Sequence, residues 1–236
     1  MKDYLEPKET RRHFLVKSGI FLTAAGLFGA GCSTGPEKEA KTSAISATED
    51  LMREHGVLRR IMLLYDEMGR RLKQGEDFSS QVLAEATDIT HRFIQEYHEK
   101  NEETQLFNRL SSAGKLAELV AILYQQHLAG RKVIVEINAA NTEDNLKNPA
   151  ERARIADLLA AFNRLYRPHA AWEDTVLFPA FREVISGKDF AAVGETFEKD
   201  EVKLFGQDGY AKVVGQVVDL EKKLGIYNLQ QFTPKI

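Results

Sequence analysis

The chain has 236 residues, of which 43% are hydrophobic and 28% charged, with 6 prolines, and this composition excludes an intrinsically disordered or collagen-like protein. The net charge of −3 argues against a nucleic-acid-binding protein, which needs a basic surface. A single cysteine, Cys32, excludes internal disulfides, iron–sulfur clusters and multi-cysteine zinc sites.

Residues 1–31 have the features of an export signal. Arg11 and Arg12 precede an uncharged apolar run at 19–31, which is shorter than the roughly 20 residues that a membrane-spanning helix needs. A basic start, a short apolar run and small residues are typical of a secretory signal, and the arginine pair resembles the twin-arginine signal. We therefore expect residues 1–31 to direct export by the twin-arginine route.

Cys32 directly follows the apolar run, at the place where a bacterial lipoprotein signal is cut. The preceding Gly-Ala-Gly resembles a lipobox, except that Gly29 stands where that motif usually has leucine. We interpret Cys32 as a lipidation site that anchors the protein at the periplasmic face of a membrane; the alternative is cleavage nearby, with the cysteine removed or left free. Residues 32–48 are small and polar, which is typical of a flexible tether.

Residues 49–186 carry the periodicity of four long amphipathic helices. Ser46–Glu49 has the pattern of a capping box, Gly75 marks the first break, and Asn148 followed by proline is typical of a helix start. Long helices with short connections predict an all-α fold, an up-down-up-down four-helix bundle. Residues 187–236 are expected to form a C-terminal helical extension.

Two decapeptides in this region are copies of one pattern. Residues 98–107 read H-E-K-N-E-E-T-Q-L-F, and residues 169–178 read H-A-A-W-E-D-T-V-L-F. His55 and His127 repeat at nearly the same offset. Because a spacing of four places His and Glu one turn apart on one helix face, the pattern predicts two helical hairpins. Each hairpin gives one histidine from its first helix and a His-x-x-x-Glu from its second.

The repeat yields six candidate metal ligands that lie on the apolar helix faces: His55, His98, Glu102, His127, His169 and Glu173. Buried polar groups cost several kcal/mol each unless they are paired, and a pair of metal ions would pair them, since imidazole suits iron and carboxylates can bridge two cations. We expect the two histidines of each hairpin to hold one ion and the two glutamates to bridge. Glu99 is an additional possible ligand of the second ion.

These motifs, over about residues 49–186, resemble the hemerythrin-like (HHE) cation-binding family. The resemblance implies a four-helix bundle around a non-haem di-iron centre, with two iron ions as the cofactor. Oxygen-carrying hemerythrins have a second histidine one turn after the third-helix ligand, where this chain has Arg131. The resemblance therefore implies a site that is one histidine short, with that position open or filled by Glu99 or water. Such spacing resembles iron-centre repair proteins and iron- or oxygen-sensing domains at least as closely as oxygen carriers.

Three functions fit this pattern. The first is an exported non-haem di-iron protein that binds O2, NO or iron itself for sensing, storage or delivery, without nucleic acid and with a membrane contact only through the lipid. The second is a di-iron oxidoreductase acting on peroxide, NO or ferrous iron, or an iron-centre repair protein. The third is a helical adaptor with a structural metal. We favour the first, a ligand-binding protein and not a dedicated enzyme. Bridged ions with open positions exceed what a structural metal needs, and repair proteins usually carry a cysteine-containing module where this chain has its export signal.

Several residues near the motifs have a second interpretation. Tyr124 and Tyr166 each precede a candidate histidine by three residues, and we interpret them as core aromatics. The alternatives are a hydrogen bond to a ligand or a redox role beside the metal. Trp172 is interpreted as core packing. His91 lies about 10.5 Å from His98 along the helix axis, too far to share its metal ion.

Overall fold

The computed structural model describes residues 45–235, and they are helical with no strand among them. The predicted export signal and the predicted lipidation site Cys32 lie outside the described residues. The helices are α1 (Ala47–Gln74), α2 (Ser80–Ile89), π1 (Thr90–His98), α3 (Glu99–Asn101), π2 (Glu102–Phe107), α4 (Asn108–Ser112), α5 (Ala117–Ala140), α6 (Glu143–Lys147), α7 (Pro149–Trp172), π3 (Glu173–Leu177), α8 (Phe178–Val184), α9 (Gly187–Phe205) and α10 (Gly209–Lys223), with a 3₁₀ turn at Leu229–Phe232. The predicted all-α class is therefore confirmed.

Local capping sets the ends of the long helices. The Ser46 hydroxyl accepts a hydrogen bond from the Glu49 amide at 3.4 Å, and the Glu49 carboxylate accepts one from the Ser46 amide at 3.0 Å. Such caps stabilise a helix by about 1 kcal/mol. Gly75 ends α1 with φ of 75°, and the Asn148 side chain caps α7 with Pro149 at its first position. The helix ends predicted at these residues are present.

The π-helical segments occur at the two His-x-x-x-Glu motifs. His98 is the last residue of π1, Glu102 is the first residue of π2, and Glu173 is the first residue of π3. A π-helix is wider than an α-helix and is found frequently at functional sites. The two copies of the repeat therefore share an unusual backbone as well as a sequence pattern.

The long helices pack side by side around one interior. The most extensive contacts join α1 to α7 and α5 to α7, while α9 and α10 lie against α1. No helix within residues 45–235 combines the length and the apolar character needed to span a membrane.

The interior contains two apolar clusters with a polar layer between them. The large cluster includes Leu58, Ile94, Ile134 and Phe162. The small cluster includes Leu51, Leu106, Leu123 and Leu177. Each of these side chains contributes about 1.5–3 kcal/mol through burial. On every long helical segment the candidate ligands lie between a residue of one cluster and a residue of the other, so the two clusters position the polar layer.

Candidate metal centre

The structure brings all six candidate ligands together in the polar layer. Each is at most 3% exposed, and their donor atoms form two overlapping groups. The first group contains His55 and His98, the second contains His127 and His169, and both groups contain Glu102 and Glu173. The histidines that the sequence assigns to one ion therefore lie in one group, and the assignment of ions to these groups stays a prediction.

Each glutamate faces one histidine of each pair. Glu102 places one oxygen 3.5 Å from Nε2 of His98 and the other 3.5 Å from Nε2 of His127. Glu173 places one oxygen 3.3 Å from Nε2 of His55 and the other 3.1 Å from Nε2 of His169. Two carboxylates that each span two pairs of imidazoles have the arrangement needed to bridge two cations.

The outer nitrogen of every histidine faces a hydrogen-bonding side chain. The distances from Nδ1 to these acceptors are 2.7 Å for His55 with Asp174, 2.8 Å for His98 with Glu54, 3.1 Å for His127 with Glu103 and 2.9 Å for His169 with Gln126. An acceptor at Nδ1 fixes the tautomer that leaves the Nε2 lone pair free for a metal. All four rings are therefore oriented with Nε2 toward the centre.

Several nitrogen and oxygen atoms that face the middle of the centre lack a hydrogen-bond partner among the described residues. Among the described residues, none makes a well-formed hydrogen bond to either oxygen of Glu102, to either oxygen of Glu173, or to Nε2 of His55. The Nε2 atoms of His127 and His169 face each other at 3.1 Å. Because buried polar atoms are almost always hydrogen-bonded, this inward set of nitrogen and carboxylate donors fits metal ions.

Charges in the layer shift several pKa values. Burial lowers the pKa of His55, but the carboxylates of Asp174 and Glu173 outweigh it and raise the pKa to about 10. Burial also lowers the pKa of His127, but Glu99, Glu102 and Glu103 raise it to about 10. At His98, burial prevails and lowers the pKa to about 4. Burial raises the pKa of Glu173, but His169 and His55 hold it below its usual value.

These shifts predict that the metal-free protein loses stability in alkali. The folded state holds protons on His55 and His127 up to about pH 10, whereas the unfolded chain releases them near pH 6.5. Their contribution is therefore complete below pH 6.5 and is lost as the pH rises toward 10. Urea denaturation of chelator-treated protein should show a free energy of unfolding that falls across this range. The metal-loaded protein, whose imidazoles carry no exchangeable Nε2 proton, is the control, and a flat profile without metal would contradict the prediction.

Glu99 lies beside the centre and is held by two other side chains. One oxygen accepts a hydrogen bond from the Tyr166 hydroxyl at 2.6 Å, and the other lies 2.8 Å from the Arg131 guanidinium. Arg131 also contacts Glu103 at 2.6 Å. Burial raises the pKa of Glu99. The guanidinium of Arg131 therefore forms ion pairs with two carboxylates near His127, those of Glu99 and Glu103.

Gly130 makes room for the tyrosine. A Cβ atom at this position would overlap the ring of Tyr166, which is 1% exposed. Tyr166 is thus a buried core aromatic that also donates a hydrogen bond to Glu99.

Two aromatic assignments are wrong. Trp172 is 54% exposed and Tyr124 is 40% exposed, so neither is a core residue. His91 is exposed and lies 3.4 Å from the Gln95 amide oxygen, as expected for a residue outside the centre.

Sequence reasoning missed the four outer acceptors. Glu103 and Asp174 occupy the matching acidic position of the two decapeptides, and Glu54 and Gln126 immediately precede His55 and His127. Their positions in the repeat were the available signal, since residues that recur with the ligands are placed equivalently around the centre.

Comparison with known proteins agrees with this geometry. Residues 46–181 match the hemerythrin HHE cation-binding domain. The chain is 42% identical over 234 residues to the uncharacterized protein Rv1995 of Mycobacterium tuberculosis, covering 95% of this chain and 91% of the relative. The same values apply to the uncharacterized protein Mb2018 of Mycobacterium bovis. No solved structure gives a significant match.

Proposed function

Because the chain belongs to the hemerythrin HHE cation-binding family, we propose that it is a non-haem di-iron protein that binds O2 or NO for sensing, storage or delivery. The buried His and Glu clusters are able to hold metal. In this proposal His55 and His98 would hold the first iron, His127 and His169 would hold the second, and Glu102 and Glu173 would be shared between the two. The surrounding architecture is an up-down-up-down four-helix bundle.

The observation that carries the proposal is the orientation of the two glutamates. In both Glu102 and Glu173, one oxygen faces a histidine of the first pair and the other faces a histidine of the second pair. A single structural ion would need one closed set of ligands, whereas this arrangement serves two ions side by side. Two iron ions would supply the redox couple and the coordination position for a diatomic ligand.

The residues of this chain hold, orient and shield the centre. The outer acceptors orient the imidazoles, and Phe178 and Phe107 stack on His55 and His127 at ring distances of 5.6 and 5.4 Å. These apolar rings exclude water from the histidines, and a drier site strengthens the electrostatic attraction between carboxylates and cations.

Position 131 favours sensing or reactivity over reversible oxygen transport. Arg131 pairs with Glu99 and Glu103, so this position provides a guanidinium in place of an imidazole donor. With one imidazole fewer, the donor set is richer in carboxylate, and hard oxygen donors favour the oxidised ion. The oxidoreductase alternative rests on the same observation.

Anaerobic reduction followed by addition of O2 or NO tests the proposal. The reduced iron-loaded protein should give new visible absorption and Mössbauer signals with either gas, and after O2 it should settle within minutes as a stable di-ferric protein. A spectrum that reverses fully when O2 is removed, over many cycles, would instead indicate a carrier. A protein that binds zinc and shows no response would indicate a structural metal.

We also propose that the protein is exported by the twin-arginine route and anchored through a lipid on Cys32. Replacing both Arg11 and Arg12 by lysine should leave precursor inside the cell, since the signal depends on the arginine pair. Cys32→Ser should move the exported protein from the membrane fraction to the soluble fraction, measured by fractionation and immunoblotting. If Cys32→Ser remains with the membranes to the same extent as the parent, the lipid anchor is wrong.

A further inference from the structure

The centre has an internal two-fold correspondence that extends beyond its six ligands. Residues of the first hairpin match residues of the second at an offset of 71 or 72 along the sequence. The matched pairs are Glu54 with Gln126, His55 with His127, Arg59 with Arg131, His98 with His169, Glu102 with Glu173, and Glu103 with Asp174.

Most of these pairs make the same contacts. Asp174 binds His55 and is paired with Arg59. In the same way, Glu103 binds His127 and is paired with Arg131. The first-helix histidines of the two hairpins therefore have matching acceptors and arginines. Glu99 near His127 is the exception, since Ala170 stands at its matching position, but the two oxygens of Glu99 already contact Tyr166 and Arg131.

The correspondence breaks at the acceptors of the second-helix histidines. Nδ1 of His98 faces the Glu54 carboxylate at 2.8 Å, whereas Nδ1 of His169 faces the Gln126 amide at 2.9 Å. The distance from Nδ1 to its acceptor is nearly the same for both histidines, but the acceptor of His98 is a charged carboxylate and that of His169 is a neutral amide. A carboxylate acceptor makes an imidazole a stronger ligand than a neutral amide does.

An apolar groove borders the centre at the same histidine. Its volume is about 340 Å³, and its lining includes His169, Gln126, Leu119, Ile122, Pro168 and Trp172. Ile122 and Trp172 are 53% and 54% exposed, so the groove is open to solvent. The histidine with the neutral acceptor is thus also a histidine that lines an opening at the surface.

We propose that the two metal positions are unequal and that the position between His127 and His169 is the exchangeable one. It binds its divalent cation more weakly than the position between His55 and His98, and it gains and loses the cation through the groove beside Gln126. Gln126 is a positioning residue, because it acts through His169. The inference rests on the proposed metal centre and adds a difference in affinity and exchange between its two metal positions.

Titration of the metal-free full-length chain with Co²⁺ tests the inequality. Competition with a chelator should give two dissociation constants that differ by roughly tenfold or more, the typical effect of a ligand's hydrogen-bonding partner. His169→Ala should remove the weaker step and leave the tighter step nearly unchanged. Equal constants in the parent protein would overturn the inference, whereas no binding of Co²⁺ at all would contradict the metal centre itself.

Exchanging the acceptors of His98 and His169 tests whether the charge of the acceptor causes the difference in affinity. Gln126→Glu should tighten only the weaker step by roughly tenfold, and Glu54→Gln should weaken only the tighter step by a similar factor. Asp174→Asn, which changes the acceptor of His55 in the same way, replaces Glu54→Gln if that variant does not fold. A structural role alone would change both steps together, and that result, or a change in the wrong step, would overturn the assignment.

Ile122→Trp tests whether the cation leaves the weaker position through the groove. The larger ring should narrow the opening and slow the release of Co²⁺ from the weaker position to a chelator, with both dissociation constants unchanged. Val135→Trp, at an exposed position farther along α5, is the control. Equal release rates in Ile122→Trp and the parent would exclude the groove as the route.

Discussion

Glu173→Ala should release both metal ions from the protein together. The two oxygens of Glu173 lie 3.3 Å from Nε2 of His55 and 3.1 Å from Nε2 of His169, so one side chain serves both positions. Removing it takes a charged donor from each ion and leaves a cavity in the polar layer. The measured metal content should therefore fall from about two ions per chain to well below one.

The control for this experiment is Glu183→Ala. Glu183 lies in α8, close to Glu173 along the chain, but its side chain is 66% exposed, and its loss should leave the metal content unchanged. Circular dichroism establishes that both variants are folded. A Glu173→Ala protein that keeps the metal content of the parent would show that this glutamate is not a bridge.

Gly130→Leu should destabilise the protein by about 3 kcal/mol or more. A side chain at this position overlaps the buried ring of Tyr166, and overpacking of a core costs about 1–3 kcal/mol. Displacing the ring also breaks the 2.6 Å hydrogen bond from Tyr166 to Glu99, which leaves a buried carboxyl oxygen without its donor and adds about 1–3 kcal/mol. Leucine is the informative choice because Leu58 occupies the matching position of the first hairpin.

Urea denaturation of metal-free protein measures this change directly. Ala129→Leu is the matched control, since Ala129 is the preceding residue of the same helix and is exposed. A Gly130→Leu variant as stable as the control would mean that the tyrosine ring can move aside without loss.

The helices were predictable because their ends are marked by local chemistry. Ser46, Gly75 and Asn148 act through hydrogen bonds and backbone angles within a few residues, so a sequence pattern is enough to locate them. The π-helical segments were not predictable in this way. A reading at 3.6 residues per turn assumes an α-helix, and the wider turns around His98 and Glu173 depend on packing against the other helices.

The six candidate ligands lie together in the structure because a shared spacing places shared side chains equivalently; that they bind metal stays a prediction. Helical spacing failed for Tyr124, since it indicates the direction that a side chain takes but not how wide a face the neighbouring helices cover. Tyr166 has the same spacing to a histidine as Tyr124 and is buried because Gly130 leaves space for its ring. That space belongs to a different helix, and no local pattern around Tyr166 reveals it.

Identity of the metal and location in the cell stay predictions for physical reasons. Histidine and carboxylate donors bind several divalent ions, and selection among them depends on geometry and supply. An export signal of the kind predicted at residues 1–31 acts through a receptor that reads it, and these residues lie outside the described part of the chain.

X-ray absorption at the iron edge, on the full-length protein loaded with iron, tests the two-metal centre most directly. We expect about two iron ions per chain, a first shell of nitrogen and oxygen donors, and scattering from a second iron at about 3.5–4 Å, the usual spacing of two-metal sites. One iron per chain with a nitrogen and oxygen shell and no iron–iron scattering would contradict the account.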